Sequence, residues 1–229
     1  METRRLEAMS SLAIREAWLE LVPRFERESG IAVDTSWVGG VEIAKRLRAG
    51  ATPDIVVMAA AAIDGLVGEG LLAAGGRMDL VRSIIGLAVR AGAQVPDISS
   101  AGAVKRLVED AEAIAYSSGP SGVHLAGVFK GWGVPETKLR QSAPGHPAGD
   151  IVARGEATIA FQQVSELLPV KGIRFVGALP GELQVVTVFS AGLRAGSARG
   201  DLARQLADFF VSDASAPVLR RHGLEPAKP

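Results

Sequence analysis

Residues 116–124 read Tyr-Ser-Ser-Gly-Pro-Ser-Gly-Val-His. The apolar segment Ala113-Ile114-Ala115 runs into this stretch, and a helix-like segment, Leu125 to Trp132, runs out of it. Between them lie three serines, two glycines and a proline. That composition suits a loop whose backbone N–H groups and hydroxyls converge on an anion at a helix N-terminus. Gly119 and Gly122 permit close approach of the backbone to a ligand. An ordinary strand-to-helix turn with a serine N-cap has the same composition. The sequence on either side must decide between them.

Toward the N-terminus the pattern is strand then helix, three times over. Leu6–Met9 reads as a strand ending in Ser10-Ser11, and Leu12, Trp18, Leu19, Val22 and Phe25 mark the apolar stripe of a helix with a serine N-cap. Pro23 is expected to start a further turn, and Gly30 to stop it. Ile31–Val33 reads as a second strand leading through Gly39-Gly40 into a helix, Val41–Arg48. Ile55-Val-Val-Met58 is a continuous apolar run of the kind found in a buried parallel strand, and a helix follows from about Ala61 to Val67. This is a parallel α/β layout, in which ligands sit at the carboxyl ends of the strands. Ser10-Ser11 and Gly39-Gly40 fall there.

Toward the C-terminus, Ile84–Val89 reads as a strand and Ser100–Asp110 as a helix. Pro144–Gly149 is a turn-rich break. Thr158–Phe161 and Ile173–Val176 read as strands, and Val185–Phe189 as a return strand. Leu202, Leu206, Phe209 and Phe210 form one face of an amphipathic helix.

The chain has 229 residues, 48% hydrophobic, enough for one large or two small domains. Lys+Arg and Asp+Glu number 25 each, and no basic-aromatic interleaving is present, so no nucleic-acid partner is expected. There is no Cys, and His124, His146 and His222 lack metal-ligand spacing, so neither metal nor cofactor is expected. The N-terminus, Met-Glu-Thr-Arg-Arg-Leu-Glu-Ala-Met, has no apolar h-region. The expected location is therefore periplasmic if a signal peptide was removed, and cytoplasmic if the sequence is complete as given.

With these loops in place the chain resembles the molybdate-binding family of bacterial ABC-transporter solute-binding proteins. The likeness rests on Ser10-Ser11-Leu12-Ala13, Ala49-Gly50-Ala51-Thr52-Pro53-Asp54, Pro120-Ser121-Gly122, Gly155-Glu156-Ala157 and Gly223-Leu224. It implies an α/β, two-lobed type 2 periplasmic-binding-protein fold, with a ligand cleft between the lobes and a closing hinge. Lobe one would be 1–81 plus 185–229, and lobe two 82–184. It also implies a monomer, and an ABC-transporter permease as partner if the protein is exported. Two departures argue against molybdate. The family's second-loop serine cluster is Gly39-Gly40-Val41 here, and its pocket tyrosine falls on Gln163. A subgroup that includes aconitate isomerase is more similar, through Tyr116–Val123, Phe161–Leu167 and Leu179–Gln184. It implies either a receptor for a small carboxylate or oxyanion, or a cofactor-independent enzyme that shifts a proton across three carbons.

The ligand-binding candidates are Ser10, Ser11, Gly40, Arg82, Ser118, Ser121, Gly122, Gln162 and Gln163. Arg82 has the fork to grip a carboxylate, and equally suits a surface salt bridge. Ser11 and Ser121 also suit helix N-caps. The catalytic candidates are Glu166 as base, with Tyr116 and His124. Glu166 also suits a helix N-terminal charge, His124 a packed helix residue, and Tyr116 a pocket wall.

Overall fold

The structure, a computed structural model, describes residues 4–227. The chain forms two compact units, Met1–Arg82 with Val188–Pro229, and Ser83–Thr187.

Unit 1 opens with β1 (Arg5–Ser10), α1 (Arg15–Ser29), β2 (Ala32–Trp37), α2 (Gly40–Arg48), β3 (Ile55–Ala59), α3 (Ala60–Gly68) and β4 (Leu72–Ser83). Unit 2 holds β5 (Ile85–Arg90), α4 (Ala101–Asp110), β6 (Ile114–Tyr116), α5 (Pro120–Gly131), β7 (Leu139–Gln141), α6 (Ala148–Ala153), β8 (Ile159–Gln163), α7 (Val164–Leu167) and β9 (Ile173–Ala178). The chain then returns to unit 1 through β10 (Thr187–Arg194), α8 (Gly200–Phe210), α9 (Ala216–Arg221) and β11 (Leu224–Pro226).

The sheet of unit 1 has the order β11-β4-β10-β3-β1-β2. β1 runs parallel to β2 and β3, and the return strand β10 pairs antiparallel to β3. Both faces are covered. On one face Leu6, Ala8, Ile55 and Val57 meet α1, α8 and α9. On the other, Val56 and Met58 meet α2 and α3. That double burial is why Ile55–Met58 is apolar without alternation.

Unit 2 repeats the plan with the order β7-β6-β8-β5-β9. β6, β7 and β8 are parallel, while β5 is antiparallel to β8 and β9. Ile159 and Phe161 face α4 and α5 with Leu125 and Phe129. Ala115 and Ala160 face α6, whose Ala148 and Val152 lie in the same cluster.

Several boundaries differ from expectation. α1 runs through Pro23 to a left-handed Gly30 (φ 68°). Pro23 is exposed, and the carbonyl it leaves unbonded belongs to exposed Leu19, so water can satisfy it. α5 starts at Pro120, not Leu125. Ser121 and His124 are therefore helical, and the loop is only Ser117–Gly119. Pro120 occupies a first-turn position where its missing N–H costs nothing. No strand was read over 72–83, where β4 is a long strand interrupted by Gly75 at φ 71°. α6 begins at Ala148, within the last two residues of the turn-rich break expected over 144–149. Its Gly149 packs so tightly that a Cβ would sit 2.9 Å from Ile173 Cδ1.

The start of α5 is held by a still closer contact. A Cβ on Gly122 would lie 1.6 Å from the Ser117 carbonyl oxygen. Gly122→Ala must therefore push the helix off the strand end, at a cost on the order of 1–3 kcal/mol. Gly127 in the same helix has open space around its Cα, so Gly127→Ala should be neutral or stabilise by up to about 1 kcal/mol. Urea unfolding of the two variants checks this; equal effects would contradict it.

Candidate functional site

Strand register sets the layout in unit 2. Tyr116 pairs with Gln141 across β6–β7 and with Phe161 across β6–β8. One step on, Ser117, Ser142 and Gln162 stand at a common level on the carboxyl edge of three parallel strands. Ser117 and Ser121 join hydroxyls at 2.9 Å, both buried, and the Ser117 hydroxyl also accepts the Gly119 N–H at 3.3 Å. Ser121 is not an N-cap; Gly119 holds that position. The N–H groups of Ser121 and Gly122 lie in the first helical turn, which has no acceptor within the helix. Ser118 is half-buried beside them. The Ser142 N–H donates to the Tyr116 carbonyl at 2.9 Å, while its buried hydroxyl has no protein partner.

Gln162 and Gln163 end β8 and face opposite sides of the sheet. Gln162 accepts the Ala148 N–H through Oε1 at 2.6 Å and hydrogen-bonds the Glu166 carboxyl. Glu166 lies on the single turn α7. Part of the residue reaches solvent, yet burial of the carboxyl dominates and pushes its pKa up to about 7, opposed by the bond from Gln162. Gln163 donates from Nε2 to Thr187 Oγ1 at 3.0 Å, and its Oε1 is buried without a partner.

Tyr116 packs edge-on against Phe129, with ring centroids 5.8 Å apart, and so joins the core beneath α5. His124 bonds the Leu183 carbonyl through Nε2 at 3.0 Å and so ties α5 to the turn at 181–183. That bond occupies one of its two ring nitrogens.

In unit 1, Ser10 ends β1 and donates its hydroxyl to the Ser11 carbonyl at 3.1 Å. The Ser11 N–H donates to the Val57 carbonyl at 2.9 Å. Ser11 precedes a short 3-10 turn but makes no cap bond, and its hydroxyl is buried without a protein partner. Such an atom costs about 1–3 kcal/mol unless something else satisfies it. Gly40 begins α2 after an extended Gly39. Arg82 ends unit 1, exposed and without an ion pair among the described residues.

The structure thus groups Ser118, Ser121, Gly122 and Gln162 at one edge, with Glu166 bonded to Gln162. Ser10 and Ser11 stand at the corresponding edge of unit 1. Ser117 and Ser142 were not expected. Alternation through Ala113 and Ala115 puts Ser117 on the inner face, a signal the sequence did carry. Ser142 follows a three-residue strand that leaves no pattern. Among the described residues no cluster of three or more His, Cys, Asp or Glu could hold a metal. The chemistry on offer is hydroxyl and N–H donors around an oxygen-rich group, beside one carboxyl that titrates near neutrality.

Known proteins share this organisation. The chain is 35% identical to aconitate isomerase from Pseudomonas sp, over 96% of this chain and 87% of that protein. The Azotobacter vinelandii periplasmic molybdate-binding protein superposes with TM-score 0.79 at 15% identity, covering 96% of this chain and 98% of that one. The sulfate-binding protein of Mycobacterium tuberculosis H37Rv also gives 0.79, at 17% identity, over 98% and 88%. The two-sheet α/β architecture is therefore that of the periplasmic binding proteins. Residues 6–225 match the family described as bacterial extracellular solute-binding protein, and to that family the chain belongs.

Proposed function

We propose that the protein is a receptor for a small anion, a carboxylate in preference to molybdate. One observation carries the reading: buried serine hydroxyls without a protein partner, Ser11 in unit 1 and Ser142 in unit 2, both at carboxyl strand edges. The Ser121 hydroxyl and the first N–H groups of α2 and α5 add donors, and helix N-termini favour negative charge. Molybdate is disfavoured by Gly39-Gly40 and Gln163, which replace the hydroxyls that the molybdate-binding family brings. As a receptor the protein would act as a monomer in the periplasm and deliver its ligand to an ABC-transporter permease.

A second reading, an aconitate isomerase-like enzyme, is favoured by Glu166 together with the 35% identity to that enzyme. The Glu166 carboxylate would take the allylic CH2 proton of the substrate. The electron pair would spread into the conjugated carboxylate as a dienolate. The new carboxylic acid would return the proton to the far alkene carbon, leaving the double bond shifted by one position. A base of pKa about 7 suits this, since it is ionised enough to accept and acidic enough to return the proton. Ser121, Gln162 and backbone N–H groups would stabilise the developing charge.

In a thermal-shift panel, carboxylates should stabilise more than molybdate or sulfate. At a hundredfold excess over Kd the expected gain is about 2.7 kcal/mol. Ser121→Ala should weaken binding by about tenfold, the effect of one lost hydrogen bond. Stabilisation by neutral or cationic compounds alone would contradict the receptor reading.

Incubation with trans-aconitate in heavy water, followed by NMR, tests the second reading. Cis product carrying deuterium is expected, at a rate that rises between pH 6 and 8 as Glu166 ionises, and that is lost in Glu166→Gln. Binding without exchange leaves a receptor. Exchange that survives Glu166→Gln removes Glu166 as the base.

A further inference from the structure

Besides Ser142, unit 2 contains three buried side-chain atoms with no protein partner: Ser83 Oγ, Gln163 Oε1 and Ser165 Oγ. Their residues are 1%, 1% and 4% exposed. They gather at one place in the chain path. Ile85 pairs with Gln163 across the antiparallel β5–β8 ladder, and the Val164 N–H donates to the Ile84 carbonyl at 2.9 Å. Ser83 and Ser165 are the next residues outward on the two segments. The Gln163 side chain is fixed, because its Nε2 donates to Thr187 Oγ1 at 3.0 Å. Oε1 is thereby left a bare acceptor, and the hydroxyls of Ser83 and Ser165, two positions along the same pair of segments, can each donate and accept.

These atoms differ from the donor set at the edge of β6 and β7. A carboxylate, sulfate or molybdate oxygen brings only lone pairs at neutral pH. It satisfies a serine hydroxyl but repels a carboxamide oxygen. An alcohol hydroxyl suits all three, donating to Gln163 Oε1 while accepting from Ser83 or Ser165. We propose that Ser83, Gln163 and Ser165 read a hydroxyl on the ligand, which makes the preferred ligand a hydroxycarboxylate rather than a bare oxyanion. This rests on the receptor reading above and narrows its ligand class. Aconitate carries no alcohol, so the same contrast separates a hydroxyacid receptor from an aconitate enzyme.

Calorimetry with matched pairs tests it on the unaltered protein: citrate against tricarballylate, and malate against succinate. Within each pair the carbon skeleton and carboxylates are shared and only the hydroxyl differs. The hydroxylated member should bind at least tenfold tighter in one pair or the other. In Gln163→Leu, and in the nearly isosteric Ser83→Ala and Ser165→Ala, that preference should fall to within threefold, and in the two serine variants affinity for the hydroxyl-free member should be kept. Equal binding within both pairs overturns the proposal. So does a preference that survives all three substitutions. If no member of either pair binds, the receptor reading itself fails and takes the proposal with it.

Discussion

The contact of Gly122 with the Ser117 carbonyl oxygen sets the geometry of unit 2. No Cβ fits in that gap, so the first turn of α5 lies directly on the end of β6. Two consequences follow. The Ser117 and Ser121 hydroxyls come within 2.9 Å of each other. The unbonded N–H groups of the helix start are held at the carboxyl edge of the sheet rather than out in solvent. A helix start one residue later would carry both away from that edge. Phe129, two turns along α5, packs against Tyr116 and Phe161 and fixes the helix axis.

Once that edge is fixed, Glu166 acquires its character from its neighbours. α7 follows β8 directly, which draws the carboxyl back toward the sheet. There it meets Gln162, which is itself anchored by the Ala148 N–H. Burial raises the pKa, and one neutral hydrogen bond only partly opposes the rise. Among the described residues no cation pairs with the carboxyl, so the ionised form persists only near or above neutrality. An anionic ligand beside it would raise the pKa further. A site of the proposed kind would therefore couple ligand charge to a proton, whether the protein only binds or also catalyses.

Much of this was legible in the residues. Ile55–Met58 shows a strand buried on both faces, and Tyr116–Gly122 shows a strand-to-helix turn rich in donors. Where the reading missed, tertiary contacts had overruled a local signal. Pro23 normally ends a helix, but on the solvent side of α1 its broken bond is tolerated. Gly149 looks like a turn, yet it lies inside α6, packed so closely that a Cβ would meet the Ile173 side chain at 2.9 Å. β4 went unread, and it holds as a strand across Gly75-Gly76 because its ladder partners β11 and β10 lie on both sides. In the site, Ser121 and Ser11 have the composition of N-caps and cap nothing; that difference is invisible without coordinates. Ser83, Ser142 and Ser165 carry no sequence pattern, and only their burial without a partner marks them.

In the proposed receptor, an anion engages the carboxyl edges of the parallel strands through serine hydroxyls and helix-start N–H groups. Amide 1H–15N spectra recorded during titration with citrate test it residue by residue. The largest shifts should fall on Ser11–Leu12, Gly40–Val41, Ser117–Val123, Ser142 and Gln162–Ser165. Shifts confined to other surfaces, such as the arginine-bearing turn of α9 at Arg220 and Arg221, would contradict it.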